Sequence, residues 1–141
     1  MILKPRILIV EDSKTDVFLI REAIDNCGIR ADIDVVRDGY SATQYFDAAD
    51  RNAAAPCPDL VLLDLNLPKV SGGEVLEHLR ASSRCKDAKV LIVSSSDAPQ
   101  DGGAVEKLHL AGYFKKPSQY ADFMKLGPLI KESLEPRTQS G

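Results

Sequence analysis

Asp59-Leu-Val-Leu-Leu-Asp-Leu-Asn-Leu-Pro68 is the stretch that decides how this chain is read. Four apolar residues, Leu60 to Leu63, run without interruption into Asp64, and Pro68 closes the segment. A run this short and uniformly apolar fits a strand covered on both faces, as in a parallel sheet. It ends on a carboxylate, one of the costliest groups to bury unpaired. What else lies at that end of the fold therefore matters.

Working outward, short β-rich runs alternate with segments of helical period. Arg6–Val10 reads as the first strand. From Ser13 to Cys27 the apolar positions Val17, Ile20, Ile24 and Cys27 keep helix spacing, with Ser13 as N-cap, Asp16 in a box-like position three residues on, and Gly28 just past the end. Ile33–Val36 is the second strand. Ala42, Tyr45, Phe46 and Ala49 mark the second helix. After a long connection, Asp50 to Pro58, comes the strand Leu60–Leu63, then a helix over Gly73–Ala81. Lys89–Ser94 is the fourth strand, a helix falls between Asp101 and Leu110, Gly112–Lys115 is a short fifth strand, and Gln119–Leu134 is the last helix. Pro128, following Gly127, is expected to kink that helix. Five βα units in strict alternation imply an α/β fold, a (βα)5 flavodoxin-like three-layer sandwich with a parallel five-stranded sheet in order 2-1-3-4-5.

The totals agree with one folded domain. A chain of 141 residues, 44% hydrophobic and 28% charged, has ordinary globular composition. A formal net charge of -3 gives no general pull toward nucleic acid or an anionic membrane. No apolar run approaches the length of a membrane span, and Met1–Lys4 leads directly into the first strand, leaving no room for a signal peptide. Cys27, Cys57 and Cys85 are odd in number, widely spaced and lack a C-x-x-C pair. They read as unpaired thiols in a reducing cytosol rather than a disulfide or zinc framework. The expectation is a soluble cytoplasmic protein with a domain over 1–136 and a disordered tail over 137–141.

In an open parallel sheet the strand C-termini point one way, and ligands bind beyond them. The first strand is followed by Glu11 and Asp12, the third by Asp64 and Asn66, the fourth by Ser94-Ser-Ser96, and the fifth by Lys115-Lys116-Pro117. In the 2-1-3 order the first and third strands are neighbours, which puts Asp12 and Asp64 within reach of one cation. Three acidic side chains alone would repel. All-oxygen ligation with few protein ligands suits Mg2+, or Mn2+ as its substitute. No histidine is near, since His78 and His109 both fall in helical segments. An aspartate beside a metal, a lysine and a hydroxyl can also accept a phosphoryl group. Asp64, held by a central strand, is the candidate nucleophile. Taken singly, each residue has a bland alternative: a cap, a turn, or a helix start favoured by the macrodipole. Their occurrence together at consecutive strand ends favours function.

Ile-Val-Glu11-Asp12, Leu-Leu-Asp64-Leu-Asn-Leu-Pro68, Val-Ser94-Ser and Lys-Lys116-Pro117, in this order, resemble the receiver domain of bacterial two-component response regulators, over Arg6 to about Leu134. The resemblance implies that Asp64 is the phosphoacceptor. It implies Mg2+ bound by Asp12 directly, by Glu11 through water, by Asp64, and by the backbone carbonyl at Asn66. Ser94 matches the hydroxyl residue that moves onto the phosphoryl group, Lys116 the lysine that pairs with it, and Tyr113 the aromatic switch. Lys116-Pro117 resembles a peptide that is cis in the family. Glu11, Ser94 and Ser71-Gly-Gly depart from the commoner Asp, Thr and Asp-Gly. The long loop before the third strand resembles stand-alone regulators paired with bacterial phytochromes.

The implied partners are a sensor histidine kinase, of phytochrome type, and a downstream protein target or phosphotransfer protein. A homodimer through the surface of the fourth helix, fifth strand and last helix is also implied; nucleic acid and membrane are not. Asp101-Gly102-Gly103 is expected to loosen the start of the fourth helix. With no output domain expected after Leu134, the signal leaves by protein contact. Two other classes compete. A metal-dependent phosphatase of the haloacid dehalogenase type also uses an aspartate nucleophile, but usually after its first strand. A phosphorylation-independent receiver-like scaffold would not need the full acidic set and Lys116. A flavodoxin-like cofactor binder lacks its phosphate loop after the first strand.

Overall fold

The computed structural model describes residues 4–96 and 110–135. Five parallel strands form one sheet: β1 (Arg6–Val10), β2 (Asp32–Val36), β3 (Leu60–Leu63), β4 (Lys89–Ser94) and β5 (Leu110–Lys115), in the order β2-β1-β3-β4-β5. The expected order is the observed one. β1 pairs with β2 from Arg6↔Asp32 to Val10↔Val36 and with β3 from Ile7↔Leu60 to Val10↔Leu63. The β4–β5 register slips between Val90 and Leu91, so that Val90 faces Leu110 and Leu91 faces Gly112, with Ala111 left over as a bulge.

Side-chain alternation along the strands sorts the core into two layers. Leu8, Val10, Val61, Leu63, Val90 and Ile92 point to one face, where α2 (Gly39–Arg51) and α3 (Gly72–Ala81) cover them with Phe46, Val75, Leu76 and Leu79. Ile7, Ile9, Leu60, Leu62, Leu91 and Val93 point to the other, under Ile20 and Ile24 of α1 (Lys14–Asn26) and Leu126 and Ile130 from the end of the chain. The inner strand residues are fully buried, as uniformly apolar runs between two helical layers require.

Local signals set the helix ends. Ser13 Oγ accepts from the Asp16 N–H at 3.2 Å, and Asp38 Oδ1 from the Ser41 N–H at 2.6 Å. At the end of α1, Gly28 takes φ 66°; its N–H reaches Asp25 O at 3.0 Å while the Ile29 N–H reaches Ile24 O at 3.3 Å, which is a Schellman closure.

Three expectations need correcting here. The single last helix is two pieces, α4 (Tyr120–Phe123) and α5 (Leu126–Leu134), separated at Met124-Lys125. Pro128 lies in the first turn of α5, where a missing N–H costs no helical bond, so it helps start a helix rather than kinking one. At Gly127 a Cβ would stand 2.5 Å from Cys27 Sγ and 2.6 Å from Ala23 O, so α5 sits directly against α1. The second correction is that Cys57 and Cys85 form a disulfide, with Cα atoms 5.3 Å apart, and Cys27 alone is a free thiol. The loops entering β3 and β4 end side by side because those strands are neighbours, which brings two distant cysteines within bridging range. The third is that no peptide bond among the described residues is cis, so Lys116-Pro117 is trans; for an X-Pro bond the two forms differ by only about 1 kcal/mol. The expected fourth helix, with Asp101-Gly102-Gly103 and His109, lies outside the described residues, as does the tail over 137–141. No helix among the described residues is long and apolar enough to cross a membrane.

Candidate functional site

The sheet delivers its polar groups to one edge by extending the ladder past the strand ends. The Glu11 N–H bonds Val36 O and the Asp64 N–H bonds Val10 O, each at 3.1 Å, so both acids are fixed by backbone bonds to neighbouring strands. The Lys116 N–H bonds Ser94 O at 2.8 Å and sets the β5 exit against the β4 exit. The first turn of α3 closes over the loop after β3, with the Gly72 N–H on Leu65 O at 3.1 Å.

These ties converge on the Lys116 ammonium. It stands 2.7 Å from Glu11 Oε1, 2.8 Å from Asp16 Oδ2 and 2.9 Å from Asp64 Oδ2. The Glu11, Asp64 and Lys116 side chains are respectively 2%, 6% and 10% exposed, so this is a charge cluster largely withdrawn from solvent. Asp12 is exposed beside it, and one carboxylate oxygen from each of Glu11, Asp12 and Asp64 lies within 4.8 Å of the others. Burial pushes the Glu11 carboxyl up to about 7, against the opposing pull of Lys116 and the Ser13 N–H. Burial alone would lower Lys116, but hydrogen bonds to Asp16, Glu11 and Asp64 outweigh it and hold the ammonium well above its ordinary value.

The cluster fits a divalent cation. One ammonium serves the carboxylates of Glu11, Asp16 and Asp64, with Asp12 a further acid beside them, and the buried Glu11 Oε1 has Lys116 as its sole charged neighbour among the described ion pairs. Oxygen-only donors at a partly open rim are the donor set of a hard cation that keeps several waters. Glu11, Asp12 and Asp64 are the side chains placed to hold it.

Around this centre a second set of bonds runs toward β5. The Asn66 N–H donates to Asp64 Oδ1 at 3.0 Å and its side-chain amide to Ser96 Oγ at 2.7 Å. The Ser96 N–H reaches Ser94 Oγ at 3.3 Å, and the Tyr113 hydroxyl donates to Ser96 O at 2.7 Å. Ser94 is fully buried. All the residues singled out in the sequence (Glu11, Asp12, Asp64, Asn66, Ser94, Tyr113 and Lys116) therefore lie along one rim.

Two members have roles that the sequence does not show. Ser96, placed at the rim only as the end of the Ser94-Ser-Ser96 run, links Asn66 to Tyr113. Asp16 stands in the box-like position expected from the sequence, yet its carboxylate does not return to Ser13. The Ser13 N–H goes to Glu11 Oε2 at 3.2 Å, and Asp16 turns to Lys116.

A five-stranded 2-1-3-4-5 sheet with acids, a hydroxyl and a lysine at its C-terminal edge defines a class of signalling domain. Residues 7–126 match the response regulator receiver domain, and the chain belongs to that family. It is 34% identical over 120 residues to the response regulator Rcp1 of Synechocystis sp., a match spanning 85% of this chain and 82% of Rcp1. Among solved structures it resembles the phosphorylated cyanobacterial phytochrome response regulator RcpA, with a TM-score of 0.79, 35% identity and 92% and 93% of the two chains covered. It also resembles the Mn2+-bound form of Rcp1, with a TM-score of 0.80, 32% identity and 97% and 99% covered. The chain is thus a receiver-domain response regulator of the Rcp1 type, a component of two-component signalling.

Proposed function

We propose that the chain accepts a phosphoryl group on Asp64 from a sensor histidine kinase and signals by a change in its β5 surface. The observation that carries this is the placement of Lys116 Nζ 2.9 Å from Asp64 Oδ2 with the Glu11 and Asp12 carboxylates alongside. An Asp64 oxygen attacks the phosphorus of a phosphohistidine; the P–O bond forms as the P–N bond breaks, and the imidazole leaves with that electron pair. Lys116 neutralises charge on the transferring oxygens, and the Ser94 hydroxyl donates to one of them. Glu11, Asp12, Asp64 and the Asn66 carbonyl would hold Mg2+, which would supply further positive charge for the same oxygens. The chain catalyses only its own phosphorylation and hydrolysis.

In this reading the acyl phosphate adds a charge approaching two negatives where Ser94 and Lys116 converge. Drawing Ser94 inward strains its tie to the Ser96 N–H, and Ser96 O is where the Tyr113 hydroxyl rests. A change at Ser94 therefore reaches Tyr113 and the outer face of β5, the surface offered to a downstream target, a phosphotransfer protein or a second copy of the chain. The likeness to RcpA, described as a phytochrome response regulator, favours a phytochrome-type kinase as donor.

Incubation with acetyl phosphate and Mg2+ tests the site. Intact mass should rise by about 80 Da in the wild type and stay unchanged in Asp64→Ala. Phosphoryl uptake by Asp64→Ala would sink the assignment. Steady release of phosphate from unrelated esters would instead favour the phosphatase class.

A further inference from the structure

The three carboxylates around Lys116 are not equivalent. Glu11 at 2.7 Å and Asp64 at 2.9 Å belong to the cluster able to hold a divalent cation, and Asp16 at 2.8 Å does not. A cation arriving at Glu11, Asp12 and Asp64 draws on two of the groups that hold the ammonium and repels it at close range. Of the three, Asp16 keeps its whole charge for Lys116.

Local structure frees Asp16 for this. It occupies the third position of α1, where its backbone N–H is capped by Ser13 Oγ at 3.2 Å. A capping-box acid at that position returns to the N-cap N–H. Here the Ser13 N–H is already taken by Glu11 Oε2, and the Asp16 side chain instead reaches a lysine 100 residues away in sequence. The carboxylate is one-quarter exposed, so it sits at the mouth of the cluster while Glu11 forms its floor.

We infer that Asp16 is a positioning residue for Lys116, holding the ammonium beside Asp64 while a divalent cation occupies the Glu11–Asp12–Asp64 cluster. The inference rests on the phosphoacceptor reading of Asp64. Cation and ammonium can then act on one phosphoryl group together, because Asp16 supplies the negative charge that lets two positive centres stay adjacent. Without it, Lys116 yields its place to the cation.

The test follows phosphorylation of the full chain by acetyl phosphate at saturating Mg2+, by intact mass over time. Asp16→Asn preserves the Ser13 cap, which uses only the backbone N–H. Its maximal rate at saturating donor should fall about tenfold, in line with loss of one charge-assisted bond, with the half-saturating donor concentration little changed. Asp16→Glu should recover to within about threefold of wild type, since a carboxylate one methylene longer still reaches the ammonium. In a Lys116→Met background, Asp16→Asn should add no further loss. An Asp16→Asn rate equal to wild type, or the same fractional loss with and without Lys116, overturns the inference.

A measurement on the wild type alone guards against misfolded variants. The Lys116 ammonium signal in a proton–nitrogen spectrum should persist when Mg2+ is added, and its disappearance into solvent exchange overturns the inference. Failure of the phosphoacceptor reading looks different: Asp64→Ala would still gain mass, or the wild type would gain none.

Discussion

A Cβ placed on Gly72 would stand 2.5 Å from the Asp64 carbonyl oxygen and 2.6 Å from Leu65 Cα, so the first turn of α3 lies directly against the backbone that carries the central aspartate. Both obstacles are backbone, which cannot rotate away. Gly73, its neighbour in the same turn, meets nothing closer than Ser71 Oγ at 3.9 Å. Gly72→Ala should therefore destabilise the protein by about 2–3 kcal/mol and disturb phosphoryl uptake, because relief requires moving the loop after β3. Gly73→Ala should be neutral or stabilise by up to about 1 kcal/mol through helix propensity. Urea denaturation of the pair checks this; equal effects would contradict the close approach.

Lys116 offsets the charge of the carboxylates packed around it. Removing its ammonium in Lys116→Met leaves the Glu11 and Asp64 carboxylates buried and facing each other. Breaking a buried pair from one side costs on the order of 3 kcal/mol. The loss should be seen in cation-free buffer and be partly reversed by millimolar Mg2+, which replaces the missing positive charge. Thermal unfolding with and without Mg2+ reads both arms. A variant as stable as wild type without cation would show that the cluster is less buried than its geometry indicates.

Most of the fold could be read from the sequence because its signals are local and redundant. The expected bounds of Leu60–Leu63 and Lys89–Ser94 are the observed ones, since runs this short, rich in branched residues and bounded by turn residues, are too short for helices. The rim followed from topology alone: in a parallel sheet whatever ends a strand lies at the C-terminal edge. What escaped depends on distance in space. Asp16 carries the same local signal whether it closes a capping box or crosses to Lys116, and only the occupancy of the Ser13 N–H by Glu11 separates the two. Cys57 and Cys85 show nothing in their spacing; their pairing needs β3 and β4 adjacent and both entry loops turned the same way. The close seating of α5 on α1, with Cys27 and Ala23 against Gly127, is likewise a contact between segments far apart in sequence.

Glu11 gives the protein a pH dependence of defined sign. Burial raises its carboxyl from an ordinary 4.5 to about 7, with Lys116, the Ser13 N–H and Asp64 as the groups facing it. A raised carboxyl means the folded state holds its proton more tightly than the unfolded state does. The associated stability is complete below the unfolded value and is lost as pH rises through about 7. Cation-free wild type should therefore lose stability between pH 5 and 7, by at most about 1.4 kcal/mol per pH unit for one proton. Glu11→Gln should flatten that slope, and saturating Mg2+ should do so in the wild type by favouring the ionised carboxylate. Denaturation midpoints across this window decide it: a wild-type slope equal to that of Glu11→Gln removes Glu11 as its source.

The disulfide lies at the opposite end of the sheet from the acidic rim, and its effects should separate from the chemistry there. Cys57 and Cys85 close a loop with a sequence separation of 28, which contains all of β3 and α3. Restricting a loop of that length in the unfolded chain stabilises the fold by about 3–4 kcal/mol in the chain-entropy description. The neighbouring backbone is held independently. Asp50 accepts from Ser82 Oγ at 2.7 Å and from the Arg84 N–H at 3.0 Å, while Arg84 donates to the carbonyls of Asn52 at 3.0 Å and Ala55 at 2.7 Å. Reduction by a dithiol, or the double substitution Cys57→Ser with Cys85→Ser, should therefore lower the unfolding midpoint by roughly 8–15 °C without unfolding the chain at room temperature. The rate of phosphoryl uptake from acetyl phosphate should stay within about twofold of the oxidised protein, because the Glu11–Asp64–Lys116 geometry is set by β1, β3 and β5 ladder bonds that the bridge does not touch. Paired melting and phosphorylation measurements on oxidised and reduced protein test both halves, and a large change in rate would show that the two ends of the sheet are coupled.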